Sequence, residues 1–311
     1  MCVTFVLVDS CGKTVVAFNR DEFLDRATAA PHWWDLEDEG LGEDVRVFGG
    51  RDLRAAGSWF GVSKSGRIAF LTNFREVEEA EEHGNRDEGE HDEAGGGPSA
   101  FFRLGKVNAT KKSRGALVKD YLTGKDSPAG YCKKVRQEDY SGYNLVVGDL
   151  TTSDFAHVSN RKCSGVSPLE RGKALGTSNG QFGAWWKVRR GCSMLEEGFP
   201  SRAASKDWAK EVSDWMFGTV LLDGQKAPKE ELPQTGFGDD IETLNSSIYV
   251  RPFKRGPVGE FGTRSSTVVL FHHEDRTVHW YEKTFLHGEE DGERSISLHK
   301  ETFKVEGPGL L

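Results

Sequence analysis

The sequence predicts a layered α+β domain, and three observations carry that reading. Short strand-like runs come in pairs joined by turn residues, blocks of helical spacing interrupt them, and no internal repeat or long linker divides the chain. At 311 residues, with 36% hydrophobic, 29% charged and 11% aromatic side chains, one large domain can bury a sizeable core. A mean hydropathy of -0.56 and the lack of any apolar run near ~18 residues argue against a transmembrane helix. The opening MCVTFVLVDSCGK lacks a basic leader and a small-residue cleavage site, so it reads as a strand rather than a signal peptide, with a cytoplasmic location as the expectation.

The elements follow in order. Cys2 to Val8 and Thr14 to Asn19 flank the turn formers Asp9, Ser10 and Gly12 and predict a first hairpin. Trp59 to Ser63 and Ile68 to Asn73, joined through Lys64-Ser65-Gly66, predict a second, and Asn144 to Val147 with Phe155 to Val158 a third. Late strands are expected at Ser247 to Val250, Thr267 to His272 and Val278 to Lys283. Helical spacing marks Arg114 to Leu122, Val188 to Glu197 and Ala203 to Met216, where Trp208, Val212 and Trp215 recur near period 3.6.

Charge is concentrated rather than spread. Between Glu76 and Glu93 ten acidic residues face Arg86 alone, enough to account for the whole formal charge of -8. Gly95, Gly96, Gly97 and Pro98 follow, so 77–100 reads as an acidic disordered insertion within a single 1–311 domain. No basic stripe offers itself to a phosphate backbone, so nucleic acid is not an expected partner. The five cysteines, Cys2, Cys11, Cys132, Cys163 and Cys192, form no C-x-x-C pair, which fits a reducing compartment. No histidine or cysteine spacing of a metal site and no phosphate-binding glycine motif occurs, so neither metal nor cofactor is expected.

Cys2 is the most informative residue. Its small side chain after Met1 invites removal of the initiator, leaving a thiol and a free α-amine on one residue. An α-amine titrates near ~7.7 to 8.0 and can accept the thiol's proton at neutral pH, joining nucleophile and base. The same residue also reads as a small buried hydrophobe at a strand start.

The motifs around it carry a resemblance. Ala17-Phe18-Asn19-Arg20-Asp21-Glu22-Phe23-Leu24-Asp25-Arg26, Gly49-Gly50-Arg51-Asp52, Gly57-Ser58-Trp59-Phe60-Gly61-Val62, Leu71-Thr72-Asn73-Phe74-Arg75-Glu76, Tyr143-Asn144-Leu145-Val146-Val147-Gly148-Asp149 and Gly262-Thr263-Arg264-Ser265-Ser266-Thr267 occur in this order. Together they resemble the NRDE family, also called the transport and Golgi organisation 2 family, over nearly the whole chain. That family in turn resembles N-terminal nucleophile hydrolases of the penicillin V acylase and bile salt hydrolase type, which implies a four-layer αββα sandwich of antiparallel sheets and cleavage of an amide by an N-terminal cysteine.

The resemblance places Cys2 on the nucleophile, Asp21 on the aspartate that holds the α-amine, and Arg20 on the arginine beside the thiol. Asn73 falls on an asparagine of the oxyanion hole, Asn179 on a second active-site asparagine, and Arg264 on a late arginine. Without the resemblance, Arg20 and Asp21 read as a structural ion pair, the two asparagines as loop residues, and Arg264 as a brace for a sheet edge. Trp185 and Trp186, soon after Asn179, are candidates for lining an apolar ligand site. The family resemblance implies the function of a Golgi and metabolic-homeostasis protein, with links to mitochondria, lipid metabolism and haem trafficking. Its expected ligand is an acyl amide, an acyl thioester or a haem-like molecule, either hydrolysed or carried without catalysis.

Nine carboxylates with few apolar neighbours leave the 77–100 insertion little to dock with. Its deletion should shift the melting temperature by less than about 2 °C in a thermal scan. A loss of several degrees would mean that the tract packs on the body.

Overall fold

The computed structural model describes residues 2–36, 40–41, 45–75, 111–161, 167–287 and 294–306. The acidic insertion expected at 77–100 lies outside the described residues.

Two seven-stranded antiparallel sheets account for most of the structure. The first begins with the expected hairpin of β1 (Val3–Val8) and β2 (Lys13–Phe23), in register from Val3 opposite Asn19 to Val8 opposite Thr14. Asp9 closes its turn, because one carboxylate oxygen accepts the N–H groups of Cys11 and Lys13 at 2.8 and 2.7 Å. The second sheet runs through β3 (Thr28–Trp33), β4 (Val47–Asp52), β5 (Phe60–Ser63), β6 (Arg67–Asn73), β7 (Tyr143–Asp149), β8 (Asp154–Ser159) and β9 (Ser167–Pro168), each beside the next. Gly66, at φ +91° in the β5–β6 turn, adopts a left-handed conformation that side chains rarely tolerate.

The chain then returns to the first sheet with β10 (Leu175–Thr177), β11 (Phe253–Lys254), β12 (Glu260–His272), β13 (Thr277–His287) and β14 (Arg294–Lys304). The order is β10-β1-β2-β12-β13-β14, with β11 on the end of β12. β1 and β2 are therefore central although they come first in the chain.

Alternation along the strands explains the layering. In β2, Val15 and Ala17 face one apolar cluster, while Val16 and Phe18 face another that also contains Phe48, Phe60 and Phe70 of the second sheet. The second cluster is the seam between the sheets. On the outer face of the first sheet lie α3 (Trp186–Ala203) and α4 (Trp208–Trp215), burying Val188, Leu195, Phe199 and Val212. On the outer face of the second lie α1 (Gly115–Thr123) and α2 (Pro128–Lys134), burying Leu117, Val118, Tyr121 and Cys132. A short α5 (Asp239–Leu244) follows in the loop before β11. Helix, sheet, sheet and helix make the expected αββα sandwich.

Some sequence readings need correction. Ser247 to Val250 is not a strand, because its backbone bonds scatter over several partners instead of one ladder: Asn19 donates to Ile248 O at 3.0 Å, Tyr249 N–H donates to Asp223 O at 2.8 Å, and Val250 N–H donates to Thr263 Oγ1 at 2.9 Å. The helix expected from Ala203 to Met216 begins only at Trp208, after a turn in which Ser205 N–H bonds Arg202 O at 3.1 Å. Strands β3, β4 and β14 carried too little alternation to be read from the sequence.

The seat of α3 on β1 depends on Gly191, where an added Cβ would meet the Phe5 ring at 2.2 Å. Gly191→Ala gains up to ~1 kcal/mol of helix preference but overpacks a fully buried contact, costing about 1–3 kcal/mol. A net loss of up to about 2 kcal/mol is expected in urea unfolding, and a raised midpoint would contradict this packing.

Candidate functional site

The β1–β2 register puts Cys2 one step beyond the Val3–Asn19 pair, at the end of the two central strands. It is half-buried, and its Sγ lies 3.9 Å from the carbonyl of Asp21. The carbonyl of Cys2 accepts a hydrogen bond from Ser178 Oγ at 2.7 Å, just past β10. Ser178 Oγ also lies 3.2 Å from Asn179 Oδ1, and Asn179 Nδ2 donates to the carbonyl of Asn73 at 2.6 Å. Asn144 on β7 binds the carbonyls of Ser178 and Gly180 at 3.0 and 2.9 Å. Polar side chains thus stitch the loop after β10 to strand ends of both sheets, and the stitch ends on the main chain of Cys2.

Arg20 and Asp21 follow each other on β2 and so point to opposite faces. Arg20 enters the seam between the sheets. It is 4% exposed, stacks on Trp59 with its guanidinium carbon 4.0 Å from the ring centroid, and reaches Asp52 at 3.8 Å. Its charge acts on Cys2 in the direction that favours a thiolate, yet burial pushes the Cys2 thiol above its usual range. Asp21 faces the helical layer at 3% exposure and accepts the hydroxyl of Thr263 at 2.6 Å. Burial raises its pKa, while positive charge at Lys187 and Lys226 and the Thr263 hydrogen bond oppose the rise.

The remaining expected residues take less central places. Asn73 ends β6 with an exposed side chain, and only its carbonyl is tied to Asn179. Arg264 is the extra residue of a bulge in β12, between the Thr263–Asp21 and Ser265–Arg20 pairs. It reaches the carbonyl of Arg26 and lies 3.3 Å from Thr28 Oγ1, bracing the turn after β2. Trp185 precedes α3 and packs on the helix-side core, whereas Trp186 edges a surface groove of about 360 Å³ with Arg189, Arg190 and Met194. Among the described residues no cluster of three metal-binding side chains occurs.

Sequence reasoning missed Lys187. It is 1% exposed, donates to the carbonyl of Asn245 at 3.2 Å and lies 5.9 Å from the Trp185 ring centroid. Burial pushes its pKa down to about 8, against the pull of Asp21 and Cys2. The signal was present: Lys187, Gly191 and Leu195 share one helical face, and the latter two are buried. Glu282 was missed as well. It is 3% exposed under Arg20, accepts the Thr267 hydroxyl at 2.7 Å, and is pushed up to about 7 by burial.

The profile of the Transport and Golgi organisation 2 family matches residues 1–92 and 103–287. The Transport and Golgi organization 2 homolog of Mus musculus is 26% identical over 292 residues, covering 87% of this chain and 88% of its own length. The Drosophila melanogaster protein of that name is 25% identical over 322 residues, covering 93% and 95%. Among solved structures, the C2A mutant of conjugated bile acid hydrolase from Clostridium perfringens aligns with a TM-score of 0.44 and 9% identity over 98% of this chain and 97% of its own. A Caenorhabditis elegans ortholog of N-acylethanolamine-hydrolyzing acid amidase aligns with a TM-score of 0.37 and 13% identity over 86% and 92%.

Lys187 makes stability depend on pH in a defined direction. Its folded pKa of about 8 lies below the ordinary 10.5, so below pH 8 both states are charged and the full cost of burying the cation applies. Between pH 8 and 10.5 the folded protein loses this proton while the unfolded chain keeps it, and the cost is relieved. Relative to Lys187→Met, the wild type should gain on the order of 3 kcal/mol between pH 7 and 11 in denaturant titrations. A difference that is flat with pH would exclude a buried cation at this position.

Proposed function

The chain belongs to the Transport and Golgi organisation 2 family, and we propose that Cys2 makes it an N-terminal cysteine amidohydrolase acting on a non-peptide acyl amide. The observation that carries this reading is the convergence on Cys2. Its sulfur lies beside Asp21, Arg20 bears on it electrostatically, and Ser178 and Asn179 hold its main chain against the end of β6.

Once Met1 is removed, the α-amine of Cys2 takes the thiol proton and Sγ adds to the amide carbonyl carbon. Asp21 holds the resulting ammonium, Arg20 offsets the thiolate charge, and the amide of Asn179, anchored on the Asn73 carbonyl at the end of β6, donates to the oxyanion, such a donor being worth ~2.7 to 4 kcal/mol of barrier in known cases. The C–N bond then breaks as the amine leaves with the proton, and a thioester remains on Cys2. Water gives a proton to the α-amine and adds to the thioester, releasing the carboxylic acid and restoring the thiol. Arg264 serves this scheme by fixing the turn after β2, and Trp185 and Trp186 would flank the acyl group.

One observation favours a second reading. Burial pushes the Cys2 thiol above its usual range, a direction that suits a carrier or chaperone for haem or an acyl lipid. Either function fits a cytoplasmic protein associated with the Golgi or mitochondria. The relatives' name supports the Golgi, and among the described residues no helix is long and apolar enough to cross a membrane.

Incubation with N-acyl amides and acyl thioesters, followed by intact-mass analysis, tests the proposal. The native protein should lack Met1, acquire one acyl adduct on Cys2 and release free amine, and Cys2→Ala should abolish both events. Retained Met1 in the native source, or reversible binding unchanged by Cys2→Ala, would replace the hydrolase with the carrier.

A further inference from the structure

Arg255 follows β11 at the end of the first sheet and is 3% exposed. Its Nη2 is buried without a hydrogen-bond partner, and among the described residues no carboxylate lies within ion-pair distance of its guanidinium. The group rests against the Phe261 ring, 5.1 Å from the centroid. A guanidinium is charged at any physiological pH, and burying one unpaired costs several kcal/mol in general. Arg255 therefore offers an uncompensated charge with which an external anion can pair.

The surroundings sharpen the point. The charges that act on Arg255 are those of Arg75, which opposes it, and of Glu22 and Glu242. Glu242 is already engaged, by Arg75 at 2.7 Å and by the Thr235 hydroxyl. Glu22 faces Arg26 at 3.8 Å. Arg75 in turn leads to the proposed nucleophile, since its N–H donates to the carbonyl of Asn179 at 2.6 Å and its charge acts on Lys187. Lys226, which donates to Leu244 O at 2.6 Å and Ser247 Oγ at 3.0 Å, acts on Asp21 from the same side. Four cationic groups, Arg75, Lys187, Lys226 and Arg255, therefore face two buried carboxylates, Asp21 and Glu242.

We propose that Arg255, with Arg75, forms an anion-recognising subsite joined to the Cys2 site through the Arg75–Asn179 main-chain bond, and takes the carboxylate or phosphate of the ligand. The proposal rests on the Cys2 reading for its position and names the substrate class of that site: an acyl compound carrying an anionic group, rather than a neutral lipid. A planar fork suits either oxyanion.

The test compares three probes of equal chain length, dodecanoate, dodecyl phosphate and dodecanol, titrated into the full-length protein with tryptophan fluorescence as the readout. Protection of Cys2 from iodoacetamide reports whether the bound probe lies at the site. Wild type should bind at least one anion tenfold or more tightly than the alcohol, and the tighter anion identifies the headgroup. Arg255→Gln should bring that ratio to near one without weakening the alcohol, while Arg255→Lys should keep part of it. The melting temperature of unliganded Arg255→Gln should not fall, because relief of an uncompensated buried charge outweighs the lost contact with the Phe261 ring. Equal affinities in wild type, an anion preference that survives Arg255→Gln, or a lower melting temperature in that variant would each overturn the subsite. Anion preference with Cys2 protection but no acyl adduct from amides would leave the subsite standing and remove only the hydrolase reading.

Discussion

The end of β2 sets the terms for everything around it. Arg20 and Asp21 are consecutive, each is under 5% exposed, and a strand must send them to opposite faces. Charge is thereby driven into two layers at once, into the seam between the sheets and into the space beneath α3. Each layer has to answer it, because a buried ion without partners is far costlier than the contacts of one side chain can offset. In the seam the answer is Trp59, Asp52 and Glu282; under the helix it is Thr263, Lys187 and Lys226.

The same constraint explains the bulge in β12. A regular ladder would have continued evenly past Arg20 and Asp21, but one extra residue, Arg264, lets Thr263 stand opposite Asp21 while Ser265 stands opposite Arg20. Thr263 then bonds Asp21, and Arg264 is freed to brace the turn that leaves β2. A local irregularity thus keeps both charges supported without distorting the central hairpin.

The central elements were legible because their signals are local. The first three hairpins lie within a few residues of their turn formers, and helices α1, α3 and α4 carry period-3.6 apolar stripes. Cys2, Arg20 and Asp21 were singled out through the family resemblance, and the register of β1 against β2 is what places them at one end of the hairpin. What the sequence concealed depends on distant segments. Ser247 to Val250 has strand-like composition, yet Asn19, more than two hundred residues away, claims its carbonyl. Lys187 looks like a surface lysine until α3 is seated on β1, and Arg255 looks like a loop arginine until β11 folds against Phe261. Asn73 and Asn179 illustrate the limit of motif reasoning, because proximity emerges through a backbone carbonyl rather than through two converging side chains.

The position of β1 between β10 and β2, with β12 on the far side of β2, has a consequence for biosynthesis. β1 is flanked by a neighbour that leaves the ribosome some 170 residues later, and the hairpin it forms gains its other flank only when β12 emerges. Until then β2 has an open edge, and Asp21 waits without Thr263. Ribosome stalling or premature termination anywhere before β12 would release a chain with its most hydrophobic hairpin finished and its charged end uncompensated, the kind of fragment that chaperones and proteases are built to recognise.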